Sequence, residues 1–226
     1  MSDRKLEAVL WDLDGVIADT AESHFLAWKE VFGKRGISFS REDFFRFFGR
    51  RHDTIIEFAM GKDLPPEDFD AVAEAKQAGY RRRVVQNLKA LPGAIELLKS
   101  LKENGIKSAI ASSAPMENIV IILKGLGIED YFQAIAPGTE VAEGKPNPQV
   151  FLLAAERLGV SPDNCVVIED AIAGVSAAKR AGMKCVAVAN SHPAASLKEA
   201  NLVTDSLEKI GIKELEGLFK KSNIKY

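Results

Sequence analysis

The chain lacks most of the residues that would place it outside the cell or in a membrane. Only two of its 226 residues are cysteine, Cys165 and Cys185. Both stand alone in apolar, strand-like runs, with no CxxC pair or zinc-ligand spacing. That excludes a disulfide scaffold and a structural zinc site, and predicts buried, reduced thiols in a cytoplasmic protein. Long apolar runs are missing too, none approaching the roughly 18 residues of a membrane span. The N-terminal Met1-Ser2-Asp3-Arg4-Lys5 leads into an apolar stretch too short for a signal peptide. Charge of one sign is not in excess: 30 Lys and Arg face 32 Asp and Glu, for a net charge of -2. No basic surface is therefore expected for nucleic acid or an anionic membrane. Repeats and low-complexity segments are absent. The remaining composition, 46% hydrophobic and 27% charged, is ordinary for a globular protein, taken here as a monomer. The length suits one large domain carrying a smaller insertion.

The apolar pattern alternates between two periods. Leu6–Trp11 reads as a strand running into Asp12, and similar runs recur at Lys107–Ala111, Phe132–Ala136, Cys165–Ile168 and Lys184–Val188. Helical patterns fall between them at Gly93–Asn104, Met116–Leu126, Pro148–Leu158 and Ile172–Ala181, each with a glycine at or near its end. Strand alternating with helix predicts an α/β fold, a parallel sheet with helices on both faces. Such sheets bind ligands beyond the carboxyl ends of their strands. From about residue 20 to residue 90 the rhythm breaks. Only helical patterns occur there: Ala21–Phe32, Arg41–Phe48, Thr54–Met60 and Glu67–Asn87. We expect residues 20–90 to form an all-helical cap and residues 1–19 and 91–226 the core, with hinges near Ala18–Thr20 and Ala90–Pro92.

Four strand ends carry candidate chemistry. Asp12-Leu13-Asp14-Gly15 places two carboxylates on one side of a strand terminus, with Gly15 permitting a tight exit. A calcium loop would need ligands where Val16 and Ser23 stand. Ile110-Ala111-Ser112-Ser113 ends a strand in hydroxyls, which also serve as ordinary helix caps. Glu143-Gly144-Lys145-Pro146 is no nucleotide loop, because Gly138 is misplaced and Pro146 stands where Ser or Thr is required. Val166-Val167-Ile168-Glu169-Asp170 ends in adjacent acids of the kind that hold a hard cation such as Mg2+.

In this order, Asp-x-Asp-Gly-Val, strand-ending Ser, loop Lys-Pro and a Glu-Asp pair resemble the four signature motifs of haloacid dehalogenase-type phosphotransferases, and the likeness covers nearly the whole chain. It implies a Rossmann-like core and the following roles. Asp12 attacks phosphorus and becomes an aspartyl phosphate; with a reference pKa near 3.9 it is expected to be ionised at neutral pH. Mg2+ is held by Asp12, Asp170 and the backbone carbonyl of Asp14, supported by Glu169. Lys145, Ser112 and Ser113 contact the transferring oxygens. Asp14 is the acid and base, its pKa raised by neighbouring carboxylates and desolvation. Within the family the start of the chain is most similar to the β-phosphoglucomutase branch. Thr20 and His24 look like its hinge pair and Lys76 like its cap lysine. Where that branch has an arginine in the cap loop this chain has His52, beside Arg50 and Arg51. Ala114, Pro115 and Met116 stand where the mutase pattern has Ser, Lys and Asn. Arg51, His52 and Lys76 are counted as candidate substrate contacts with Thr20 and His24.

The expected partner is a small phosphorylated metabolite. The expected reaction is magnesium-dependent hydrolysis of a phosphate monoester, with interconversion of β-glucose 1-phosphate and glucose 6-phosphate as the alternative. A non-catalytic binding protein of the same fold is the rival class, and no motif residue favours it.

Overall fold

The strand expected at the start of the chain forms as β1 (Ala8–Trp11) and lies in the middle of a six-stranded, all-parallel sheet. The computed structural model describes residues 4–220. After β1 come four helices, α1 (Ala21–Gly33), α2 (Arg41–Phe47), α3 (His52–Met60) and α4 (Pro66–Asn87). The core then resumes with α5 (Ala94–Glu103), β2 (Lys107–Ser112), α6 (Met116–Leu126) and β3 (Ala134–Pro137). It continues through α7 (Gln149–Leu158), β4 (Cys165–Glu169), α8 (Ile172–Arg180) and β5 (Lys184–Val188). Last come β6 (Leu202–Thr204) and α9 (Ile212–Gly217). Neither was expected, because the three residues of β6 and the six of α9 are too few to show a strand or helix period.

The strand order is β3-β2-β1-β4-β5-β6. The chain leaves β1 toward one edge and later returns to its other side, so the crevice at the carboxyl end of β1 is the switch point where such sheets bind ligands. Alternation along β1 fixes the two faces. Val9 and Trp11 join the core built with Leu97 and Leu101 of α5 and Ile119 and Ile122 of α6. Ala8 and Leu10 join the core built with Phe151 and Ala154 of α7 and Val175 and Ala178 of α8. Cys165 and Cys185 are buried free thiols on this second face, and burial pushes Cys165 up to about 12.

The helical cap has its own aromatic core. Trp28 stacks on Phe32 with centroids 5.1 Å apart, and Phe44 packs on Phe48 at 5.0 Å. Ser40 starts α2 through a reciprocal cap, accepting from Asp43 N at 3.0 Å while its own N–H donates to Asp43 Oδ2 at 2.9 Å. Pro66 opens α4, where a missing N–H costs nothing. The chain enters and leaves the cap along one paired ribbon. Ala18 bridges Ala90, Asp19 N donates to Lys89 O at 3.0 Å, and Leu91 N donates to Ile17 O at 2.8 Å. No helix among the described residues is long and apolar enough to cross a membrane.

Candidate active site

Asp12 extends β1 at the switch point, its N–H donating to Ile168 O of β4 at 3.0 Å. Its side chain is only 5% exposed. Lys145 arrives from the loop after β3. Its Nζ donates to Asp12 Oδ1 and to Glu169 Oε1, each at 2.6 Å. Burial alone would strip that lysine of its proton, but the two carboxylates outweigh it and raise its pKa. The Asp12 carboxyl is pushed up by burial to about 7, against the pull of Lys145 and with help from Glu169 and Asp14. The expectation that Asp12 ionises unaided therefore needs correcting: a buried carboxylate requires local positive charge to stay charged at neutral pH.

Glu169 ends β4 with both oxygens engaged, Oε1 by Lys145 and Oε2 by the backbone N–H groups of Asp170 and Ala171 at 2.9 Å. Asp170 differs. Ser191 donates to its Oδ2, while Oδ1 is buried without a partner. Gly15, at φ 83°, lies so close to this carboxylate that a Cβ would overlap it, and Asn190 Nδ2 holds the Gly15 carbonyl at 2.9 Å.

A magnesium ion fits this donor set. Asp12, Glu169 and Asp170 each bring one carboxylate oxygen within 4.8 Å of the others, and all three are buried. Hard oxygen ligands suit Mg2+, and the orphaned Asp170 Oδ1 is a polar atom that folding leaves unsatisfied. The Asp14 side chain is not in this cluster.

Asp14 instead faces the cap. Its Oδ1 accepts from Thr20 Oγ1 at 2.6 Å and Tyr80 OH at 3.3 Å, with His24 Nε2 at 3.2 Å. Lys76 Nζ sits 2.9 Å from His24 Nδ1. A charged Lys76 can only donate there, so Nε2 carries the imidazole proton and donates to Asp14. This reverses the expected titration. Burial alone would raise Asp14, but His24, Thr20 and Lys76 together hold it down to about 2. Burial and the nearby Lys76 keep His24 below its usual range, and burial brings Lys76 down to about 7.

A narrow cleft opens between core and cap. Asp12, Asp14, Ser112 and Ser113 line it from the core; His24, Arg50, His52 and Lys76 line it from the cap, beside an apolar wall including Phe44, Phe48 and Ile55. Ser112 Oγ accepts from Ala114 N at 3.1 Å. Ser113 Oγ donates to the Gly49 carbonyl of the cap at 2.9 Å, which leaves that hydroxyl proton unavailable to a phosphate. Thr20 is engaged by Asp14 and does not line the cavity. Arg51 does not line it either. Its guanidinium turns away to the core carbonyls of Val141 and Ala142, correcting its expected substrate contact. Four residues join the site that motif reading did not assign to it: Tyr80, Asn118, Asn190 and Ser191. Only Tyr80 carried a signal, a helical spacing of four from Lys76.

Comparison with known proteins agrees with this fold. The family model described as haloacid dehalogenase-like hydrolase matches residues 9–188. A β-phosphoglucomutase of Bacillus subtilis is 40% identical over 195 residues, 83% of this chain and 85% of that protein. A fructose-1-phosphate phosphatase of Escherichia coli is 35% identical over 191 residues, covering 80% and 95%. The crystal structure of β-phosphoglucomutase from Clostridium difficile superimposes with a TM-score of 0.87 at 35% identity, over 95% of this chain and 97% of that one. The chain is therefore an enzyme that belongs to the haloacid dehalogenase-like hydrolases, in their β-phosphoglucomutase-like branch.

Proposed function

We propose that the enzyme hydrolyses small sugar phosphates or similar monoesters, with magnesium, through an aspartyl phosphate on Asp12. The observation that carries hydrolysis over phosphate shuttling is the shortage of free donors along the cavity wall beyond Ser113. Ala114 and Pro115 line it without side-chain donors, Arg51 is engaged by the core, and Asn118 donates to Gln77 Oε1 while accepting from Arg81 Nε. Of the charged groups on the cap lining, Lys76 is engaged by His24, and burial lowers His52 toward its neutral form, so Arg50 is the one still free for a second phosphate. Each missing charge-assisted contact costs on the order of 1.5–3 kcal/mol, about tenfold or more in binding. A bisphosphate intermediate would be held weakly.

In the first half-reaction an Asp12 oxygen attacks phosphorus, and the bond to the leaving alkoxide oxygen breaks. Bound by Asp12 and Asp170, with Glu169 behind them, Mg2+ would neutralise charge on the transferring oxygens. Lys145 holds Asp12 charged and oriented. Ser112 is placed to steady a phosphoryl oxygen. Asp14 relays the His24 Nε2 proton to the leaving oxygen, which departs as the alcohol, while Lys76 passes a proton to Nδ1 so that the imidazole stays neutral. The proton later taken from water returns along the same chain. In the second half-reaction Asp14 accepts a proton from water as the water oxygen attacks phosphorus, releasing inorganic phosphate and restoring the Asp12 carboxylate.

The mutase is the second reading, favoured by one observation: the Lys76-His24-Asp14 chain restrains Asp14, which would delay water attack until a sugar arrived. Incubation with β-glucose 1-phosphate, magnesium and a trace of the 1,6-bisphosphate separates the two. Inorganic phosphate with little glucose 6-phosphate is expected, and rapid glucose 6-phosphate formation without inorganic phosphate would overturn hydrolysis.

A further inference from the structure

Arg51 sits in a cap loop whose neighbours face the cavity, yet its own side chain reaches across to the core. Nη1 donates to Val141 O at 3.0 Å and approaches Ala142 O at 3.4 Å. Asp53 Oδ2 lies 3.2 Å from Nε, fixing the guanidinium from the cap side. Between these anchors the aliphatic stem lies flat on Gly144, where an added Cβ would come 2.6 Å from Arg51 Cδ and 2.8 Å from Cγ. Gly144 has no positive φ, so its backbone conformation would accept alanine, and what requires glycine is the arginine lying over it. The next residue is Lys145. A second tie holds the same cap loop two residues earlier, where Gly49 O accepts from Ser113 at 2.9 Å.

We propose that Arg51 is a positioning residue that clasps the loop Val141–Lys145, seating Lys145 against Asp12 while holding Arg50 and His52 over the cavity. The inference rests on Lys145 acting at Asp12 as described above. Nη1 serves the core carbonyls while Nε faces Asp53 of the cap, so one planar group spans both sides of the cleft, which lysine's single ammonium cannot do. The clasp exists only when cap and core are together, so the lysine that orients the nucleophile is fully seated only in the closed enzyme. The two ties flank Arg50, which gives the cap's one cavity-lining guanidinium a fixed height above the phosphate end. Substrate selection and chemical competence thus share one contact.

The test is a double-mutant cycle on the full-length protein, with p-nitrophenyl phosphate and magnesium as the probe and thermal unfolding read in parallel. Arg51→Ala should lower kcat roughly tenfold, as a lost coupling between touching groups does, with the fold retained. Gly144→Ala should cost a similar factor, because its methyl displaces the arginine stem. In the Arg51→Ala background the two close contacts are gone and the methyl keeps only an ordinary 3.5 Å contact with the remaining Cβ, so Gly144→Ala should then cost less than twofold. Arg51→Lys should fall with Arg51→Ala rather than with the parent. A cycle in which the two losses multiply, or a fully active Arg51→Ala, overturns the clasp. A parent inactive on the ester overturns the functional reading and this inference with it, whereas an active parent with a multiplicative cycle overturns the clasp alone.

Discussion

His24 stacks on Tyr80 with ring centroids 3.9 Å apart and planes 23° from parallel, and this stack aims the imidazole at Asp14. Both rings belong to the cap and Asp14 to the core, so the proton carrier nearest the catalytic acid arrives with the cap. His24→Asn should lower kcat by about a hundredfold, the scale of general acid–base catalysis. Asp14→Asn should lower it further, and the double variant should match Asp14→Asn alone. Steady-state kinetics on an aryl phosphate decide this, and a double variant whose loss is the product of the two singles would show that the residues act separately.

Asp12→Asn should abolish turnover without lowering the melting temperature. In the folded protein burial raises Asp12 to about 7, so charging it at neutral pH works against folding. The amide can still accept from Lys145, which keeps Glu169. Residual turnover above a thousandth of the parent's would contradict covalent catalysis through this residue.

Magnesium should raise the melting temperature of the parent and of Ser191→Ala, but not of Asp170→Asn. At a hundred times its dissociation constant a ligand adds about 2.7 kcal/mol to stability. Ser191 holds one Asp170 oxygen, so its loss should weaken magnesium binding severalfold without abolishing it. Burial, Glu169 and Asp12 hold Asp170 well above the usual carboxylate range. Binding must therefore release protons, and apparent affinity should rise with pH. Calorimetry between pH 6 and 8 measures both effects, and a pH-independent affinity would remove this account of Asp170.

Lys76 should make stability climb with pH. Its folded value of about 7 lies below the ordinary value of 10.5. Across that interval the unfolded chain binds the extra proton, so unfolding becomes harder as pH rises, by a few kcal/mol in total. Denaturant titrations of the parent and Lys76→Met between pH 7 and 10 should show a rising curve for the first and a flatter one for the second. Parallel curves would mean that Lys76 keeps its proton through this range.

The sequence was legible where a local pattern has one physical reading. Helix α6 runs from Met116 to Leu126 and β5 from Lys184 to Val188, both as expected from apolar spacing. The four strand-end motifs could be placed because a parallel sheet collects its carboxyl ends on one edge. Other features depended on contacts that no local pattern encodes. Asp14 has acids near it in sequence but His24, Lys76 and Tyr80 near it in space, so the sign of its titration was misread. Arg51 looked like an anion contact because charge is visible in sequence, whereas the free carbonyls of Val141 and Ala142 that receive it are not. Asp170 Oδ1 announces its missing ligand only once every neighbouring group has been accounted for.

The central strand has a consequence for how the protein is born. Ala8 of β1 lies between Lys107 of β2 and Cys165 of β4, so the segment leading to the nucleophile has no partner nearby in the chain. On the ribosome β1 must wait until both distant strands have emerged, and pairing over such separations is slow. The cap helices pack on one another within a single continuous stretch of chain, so they can gather first. A nascent chain therefore carries an assembled lid over a missing floor, with an apolar strand exposed for most of synthesis and open to aggregation or chaperone capture.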